Sequence, residues 1–306
     1  MNVRSLVLCL VSATAADPSA TPRLQADPPK KCDSCREWNA PMEPFRVFGN
    51  TYYVGVAGLS SVLITSDQGL ILLDGGLPQS APLIDAHIRK LGFRTEDVRL
   101  IVNSHAHYDH AGGIAALQRA SGAEVAASAS GAEALERGAP TPDDPQFASP
   151  DNGFPRVRTV RTVTDGETLR VGPLAIQAHL TPGHTPGSTS WSWRSCEGAR
   201  CLDLVYGDSL TPVSAPGFRF TGDATHPSRV DAFRHSIAAL GSLPCDILLT
   251  THPGASGMDE KRRARASRPA SDPFIDPKAC RTYAAHAADL LEARVREEEA
   301  APPPTP

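Results

Sequence analysis

From Phe45 onward the chain alternates short apolar runs with glycine- and asparagine-marked turns. Arg46–Phe48, Tyr52–Val56, Ser61–Thr65 and Leu70–Asp74 read as consecutive strands, separated by Gly49-Asn50 and Asp67-Gln68-Gly69. At Ser80–Leu91 the period changes: Leu83, Ile84, Ile88 and Leu91 fall on one helical face. Val98–Val102 is again a strand, followed by a helix over Gly112–Arg119, a strand over Glu124–Ala127 and a helix near Ala132–Arg137. Residues 138–155 are proline-rich and aperiodic, a loop long enough to be functional. The second half repeats the pattern. Strands are predicted at Arg156–Val163, Leu169–Val171, Leu174–His179, Thr189–Trp193, Leu202–Tyr206 and Asp246–Thr250, with helices over Ser228–Leu240, Met258–Arg265 and Lys278–Glu298. Two similar halves of alternating strands and helices imply an α/β fold, with two sheets packed together and helices outside.

Composition narrows the class. In 306 residues, 30 basic side chains face 34 acidic ones, so nothing marks the chain for nucleic acid or an anionic membrane. No apolar run approaches the length of a membrane span. Residues 1–16 place Arg4 before the apolar Leu6–Val11 and then small residues, the layout of a signal peptide and hence of a periplasmic protein. Residues 17–44, rich in Pro, Asp and Lys, are expected to form an extended arm; 45–298 form a single domain, and 299–306 a disordered Pro-rich tail.

Beyond that signal six cysteines remain, an even number that suggests disulfides in an exported chain. Cys196 and Cys201 flank a polar loop and can close a hairpin. Cys245 and Cys280 can staple the last helix to a strand. Cys32 and Cys35 form either a tight local disulfide or a redox pair. The pairings stay open at this level.

The chemistry concentrates in Asn103–Gly113, NSHAHYDHAGG, directly after an apolar strand. His105, His107, Asp109 and His110 are four metal-ligand types within six residues. Residues two apart on a helix do not share a face, so the segment is read as a loop. There His105 and His107 can converge on one point and Asp109 and His110 on a neighbouring one. Imidazole with carboxylate favours zinc over calcium or magnesium.

This HxHxDH segment resembles the signature of the metallo-β-lactamase superfamily, whose fold is a four-layer αβ/βα sandwich with a dinuclear zinc cleft at one edge. Leu70–Gly76, LILLDGG, is similar to the family's strand ending in Asp-Gly, which implies that Asp74 supports the metal site from behind. His184 in LTPGHTPGS and His252 in LLTTHPGAS match the loops that complete it. The resemblance implies two Zn2+ ions, one held by His105, His107 and His184, the other by Asp109, His110 and His252. His87, His179, His226, His235 and His286 lack such context and are read as structural or surface residues.

Within that family VYGDSLTP (Val205–Pro212) discriminates. In thioester and lactone hydrolases an aspartate here bridges the metals, which would be Asp208. In subclass B3 β-lactamases the serine, here Ser209, faces the site. Neighbouring residues at a strand end point opposite ways, so the two readings compete. Asp208–Phe220 and Pro244–Ser256 resemble subclass B3 segments, the Cys245–Cys280 and Cys196–Cys201 pairs resemble its disulfides, and Trp38 in WNAPMEPF resembles its N-terminal arm beside the cleft. The resemblance implies a monomeric β-lactamase acting on penicillins, cephalosporins and carbapenems through a zinc-bridging hydroxide. Asp109 would orient the nucleophile, and Ser209 and Thr211 would bind the drug's carboxylate. Gln146, in the 138–155 loop, is a candidate contact for substrate or for zinc-bound water. The alternatives are a thioester or lactone hydrolase of the same superfamily and a zinc-binding protein without catalysis.

Overall fold

The computed structural model describes residues 24–223, 227–267 and 272–301. Its first sheet has seven strands in sequence order: β1 (Phe45–Phe48), β2 (Thr51–Tyr53), β3 (Val62–Ser66), β4 (Gly69–Leu73), β5 (Val98–Val102), β6 (Glu124–Ala127) and β7 (Val160–Thr162). β1 to β4 are antiparallel and β4 to β7 parallel. The switch follows from the connections. Tight turns join β1 to β2 and β3 to β4, and the loop 54–61 joins β2 to β3, whereas α2 (Ala81–Lys90), α4 (Ile114–Ser121) and α5 (Ala129–Arg137) supply the crossovers that parallel pairing needs. The second sheet runs in the order β12 (Ile247–Thr250), β11 (Arg200–Gly207), β10 (Thr189–Glu197), β9 (Leu174–Leu180), β8 (Thr168–Val171).

Side-chain alternation explains the layering. On β3 and β4, Val62, Ile64, Ile71 and Leu73 face the second sheet, meeting Ile176, Trp191, Leu204 and Leu249 in the central core. Leu63, Leu70 and Leu72 point the other way, onto Ile84 and Ile88 of α2 and Ile114 and Leu117 of α4. Across the molecule Val205 and Leu248 pack under α6 (Val230–Ser242) and α8 (Ala279–Ala300), through Phe233, Ile237, Ala284 and Leu291. The central strands are buried on both faces, which is why they read as continuous apolar runs. The result is the expected helix–sheet–sheet–helix sandwich. Among the described residues no helix is long and apolar enough to cross a membrane.

Several boundaries differ from expectation. The run Arg156–Val163 forms a strand only at Val160–Thr162, because its one neighbour, β6, is four residues long and offers three pairing positions. The arm is not wholly extended: Cys35–Trp38 is a helical turn (α1), with Cys32 and Cys35 disulfide-bonded around its start. α8 runs to Ala300, past the expected end at Glu298. Cys196–Cys201 joins β10 to β11, and Cys245–Cys280 ties α8 to the segment entering β12. The leader at 1–16, residues 17–23 of the arm, His226 and the tail from 302 lie outside the described residues.

Candidate metal centre

The chemistry-bearing residues sit where strands end at one edge of the paired sheets. β4 ends at Leu73 and delivers Asp74; β5 ends at Val102 and delivers Asn103 to His110. The turn after β9 carries His184, β11 runs out into Asp208 and Ser209, and β12 into Thr251 and His252. Two backbone bonds lock the layers here: Thr189 N–H donates to Ser104 O (2.8 Å) and Ser60 N–H to Thr251 O (2.9 Å). The histidine segment is extended through His107 and then closes in one helical turn, α3 (Tyr108–Ala111), a turn the sequence did not predict. That turn nests against the end of β4. Gly75 N–H donates to His110 O (2.8 Å), and a side chain on Gly113 would run into the Gly75 carbonyl, so only glycine fits.

Two donor groups form side by side. The rings of His105, His107 and His184 cluster with centroids 4.8–5.1 Å apart. Next to them His110 Nε2 lies 3.2 Å from Asp109 Oδ2 and 3.3 Å from His252 Nε2, and His252 Nε2 lies 3.3 Å from Asp109 Oδ2. Five of the six are buried, and the His252 side chain is 36% exposed towards the cleft.

Partners behind four of the five rings fix which nitrogen faces the site. His105 Nδ1 is 2.7 Å from Asp208 Oδ1, and His107 Nε2 is 3.2 Å from both oxygens of Asp144. His184 Nδ1 is 2.9 Å from Thr211 O, and His252 Nδ1 is 3.1 Å from Gly58 O. Each acceptor takes the proton of one nitrogen and leaves the other, Nε2 of His105, His184 and His252 and Nδ1 of His107, with its lone pair for a cation. His105 Nε2 is buried with no hydrogen-bond partner among the described residues, as a ligand position would be.

Electrostatics agree with that reading. Burial and the neighbouring imidazoles hold His105 well below the usual histidine value and bring His184 down to about 3, so both rings are neutral. For Asp109, burial pushes upward but His110 and His252 overcome it and hold the carboxyl well below its usual value. His110 differs: burial pushes its pKa down, but Asp109, Asp74 and Asp208 outweigh it and raise the value above the usual one for histidine, so it would release a proton on taking up a cation. Imidazoles with one ionised carboxylate are the donor set zinc prefers, so the residues present fit that metal.

Asp74 lies behind this centre, fully buried, with φ +57°. It accepts from Asn103 Nδ2 (2.9 Å), Ser104 N–H (2.8 Å), Ser104 Oγ (2.6 Å) and Tyr206 Oη (2.9 Å), and its Oδ2 is 3.9 Å from His110 Nδ1. It therefore braces the turn that carries the histidines.

The donors open into a cleft of about 300 Å³. Trp38, Gln146, Ser209 and Thr211 all line it, together with Tyr108, Asn152 and Val213. Trp38 packs on His252 (centroids 5.3 Å apart), and Gln146 Nε2 is 3.4 Å from His184 Nε2. Ser209 Oγ pairs with Thr251 Oγ1 (2.9 Å). The competition between Asp208 and Ser209 resolves as a division: Ser209 faces the cleft, while Asp208 turns inward behind His105. Sequence reasoning missed Asp144 and the Gly58 carbonyl; nothing local marks either, beyond the placement of Asp144 in the loop singled out as functional. Of the remaining histidines, His87 bonds Val54 O and His179 bonds Ser192 Oγ, both away from the cleft, and His235 and His286 are exposed.

A four-layer sandwich with histidine-rich donor groups at one edge of its paired sheets defines a class of metal-dependent hydrolase folds, and comparison with known proteins makes it specific. The profile of the Metallo-beta-lactamase superfamily matches residues 54–252. The chain belongs to the metallo-β-lactamase superfamily. It is 52% identical to the Rm3 metallo-β-lactamase, with a TM-score of 0.85 over 88% of this chain and 100% of that one. It is 49% identical to MEM-A1, a subclass B3 enzyme from a soil metagenome, with a TM-score of 0.83 over 86% of this chain and 99% of that one. A hydroxyacylglutathione hydrolase of Anaeromyxobacter dehalogenans is 32% identical over 63% of this chain, and the match spans 59% of that relative.

Proposed function

We propose that this chain is a zinc-dependent β-lactamase of subclass B3 type, hydrolysing the amide of penicillins, cephalosporins and carbapenems as a monomer. The observation that carries the reading is the pair of adjacent donor groups opening onto a cleft in which a serine, Ser209, stands where Asp208 has turned away. His105, His107 and His184 would hold one Zn2+, and Asp109, His110 and His252 the other. Bound zinc supplies Lewis acidity, which polarises a carbonyl and makes water acidic enough to attack near neutral pH. Asp208, Asp144 and the carbonyls of Thr211 and Gly58 keep the imidazoles in one tautomer and one orientation. Asp109 accepts a hydrogen bond from the attacking water and orients it. The hydroxyls of Ser209 and Thr211 donate to the substrate carboxylate, the Gln146 amide donates to the substrate beside His184, and Trp38 walls the cleft and excludes water. Three disulfides support export to the periplasm.

A second reading, a thioester hydrolase, is favoured by the match to the hydroxyacylglutathione hydrolase and by Asp208 Oδ2, which is buried without a partner among the described residues. The test offers purified protein a carbapenem and a glutathione thioester side by side, with and without a chelator. Carbapenem turnover that a chelator abolishes and zinc restores supports the β-lactamase. Thioester turnover alone overturns it.

A further inference from the structure

β11 ends at Gly207, so the residues that follow it have no sheet ladder to hold them. Yet these residues orient two of the three histidines in the first donor group: Asp208 through Oδ1 on His105, and Thr211 through its carbonyl on His184. Ser209, between them, lines the cleft and bonds Thr251, the neighbour of His252. Ser190 Oγ of β10 accepts from Asp208 N–H (3.0 Å) at the start of the segment, and beyond it a hydroxyl from α8 holds the peptides. Tyr283, buried in the second turn of α8, donates from Oη to Asp208 O (2.8 Å) and accepts from Leu210 N–H (3.2 Å), gripping the peptide groups on either side of Ser209. One turn earlier, Cys280 bonds Cys245, which leads into β12 and so towards Thr251 and His252.

We infer that Tyr283 is a positioning residue for the metal centre. It acts through Asp208 and Thr211, and the Cys245–Cys280 disulfide sets where its hydroxyl sits. The inference rests on the zinc reading above. The disulfide and the base of α8 then tune zinc affinity as well as stability, because the brace for His105 and His184 hangs from them.

The test is Tyr283→Phe, which removes one oxygen and leaves the ring packed. Zinc affinity of the full chain is measured by competition with a chromogenic chelator, and thermal stability is measured alongside. Val295→Ala, a buried apolar truncation further along α8, is the control for destabilisation alone. Outer partners of metal ligands typically tune affinity by 10- to 100-fold; one step further out, Tyr283→Phe should weaken one of the two zincs by about 3- to 10-fold. Val295→Ala should lower the melting temperature and leave both affinities unchanged. Tyr283→Phe binding both zincs within about twofold of the unaltered chain overturns the inference, as does an equal loss in Val295→Ala. An unaltered chain that retains no zinc would instead overturn the metal-centre reading, and this inference with it.

Discussion

Two carboxylates stand behind histidines of the first donor group, and their geometries predict unequal consequences when they are removed. Asp208 Oδ1 lies 2.7 Å from His105 Nδ1, with both side chains at 1% exposure or less. Asp144 meets His107 Nε2 at 3.2 Å through both oxygens, with the His107 and Asp144 side chains 8% and 4% exposed. A short bond to one oxygen is stronger than a longer one divided between two. Such outer partners are typically worth 10- to 100-fold in metal affinity, or about 1.4 to 2.7 kcal/mol. Asp208→Ala belongs at the upper end, because it strands a buried imidazole N–H and frees the tautomer. Asp144→Ala belongs near the lower end, about tenfold, because its longer, divided contact holds the ring less firmly. Asparagine at position 208 keeps one carbonyl oxygen for the Nδ1 proton and should recover part of the loss. Zinc affinity by chelator competition is the assay, with kcat/KM on a carbapenem beside it. Equal effects, a reversed order, or losses under about twofold at both positions would refute the claim that these carboxylates set the ligand tautomers.

Other expectations follow from the same contacts. Glu298 accepts from Phe220 N–H, Thr221 N–H and Thr221 Oγ1 at 2.8–3.0 Å and pairs with Arg294, so Glu298→Ala should cost about 2–3 kcal/mol in urea unfolding. Burial raises the Glu298 pKa, but those donors and Arg294 overcome it and hold it below the usual value. Its contribution is therefore complete above the unfolded pKa and lost as pH falls through the folded one, so the gap between variant and parent should narrow as pH falls below 4.5. Replacing both Cys245 and Cys280 by serine opens a link across 35 positions and should cost about 3–4 kcal/mol, read as a lower denaturation midpoint. Ser209→Ala should raise KM for a carbapenem several-fold with a smaller change in kcat; an unchanged KM would remove Ser209 from substrate binding. Stripping zinc should lower the melting temperature reversibly, since a ligand at about a thousand times its Kd adds about 4 kcal/mol.

The strands and helices were legible because their signals are local. Val98–Val102 and Glu124–Ala127 take the predicted bounds, and the alternation on β3 and β4 anticipates which side chains meet the opposite sheet. Where prediction slipped, at Arg156–Val163 and at the turn α3, the deciding factor was a neighbour: the short partner strand in one case and the end of β4 in the other.

The site divides along the same line. The sequence by itself determined the donor types, since four of the six sit in one short segment after a strand and the other two in loops of matching character. It also supplied the cysteines that became three disulfides. Only the tertiary structure decided which nitrogen of His105, His107, His184 and His252 faces the site. Those choices are made by Thr211, Asp144, Asp208 and Gly58, which lie 27, 37, 103 and 194 residues from the rings they hold. Only the tertiary structure, too, turned Asp208 inward and Ser209 outward. A strand end offers both directions, and the hydroxyl of Tyr283 and the ring of His105, from distant parts of the chain, select one.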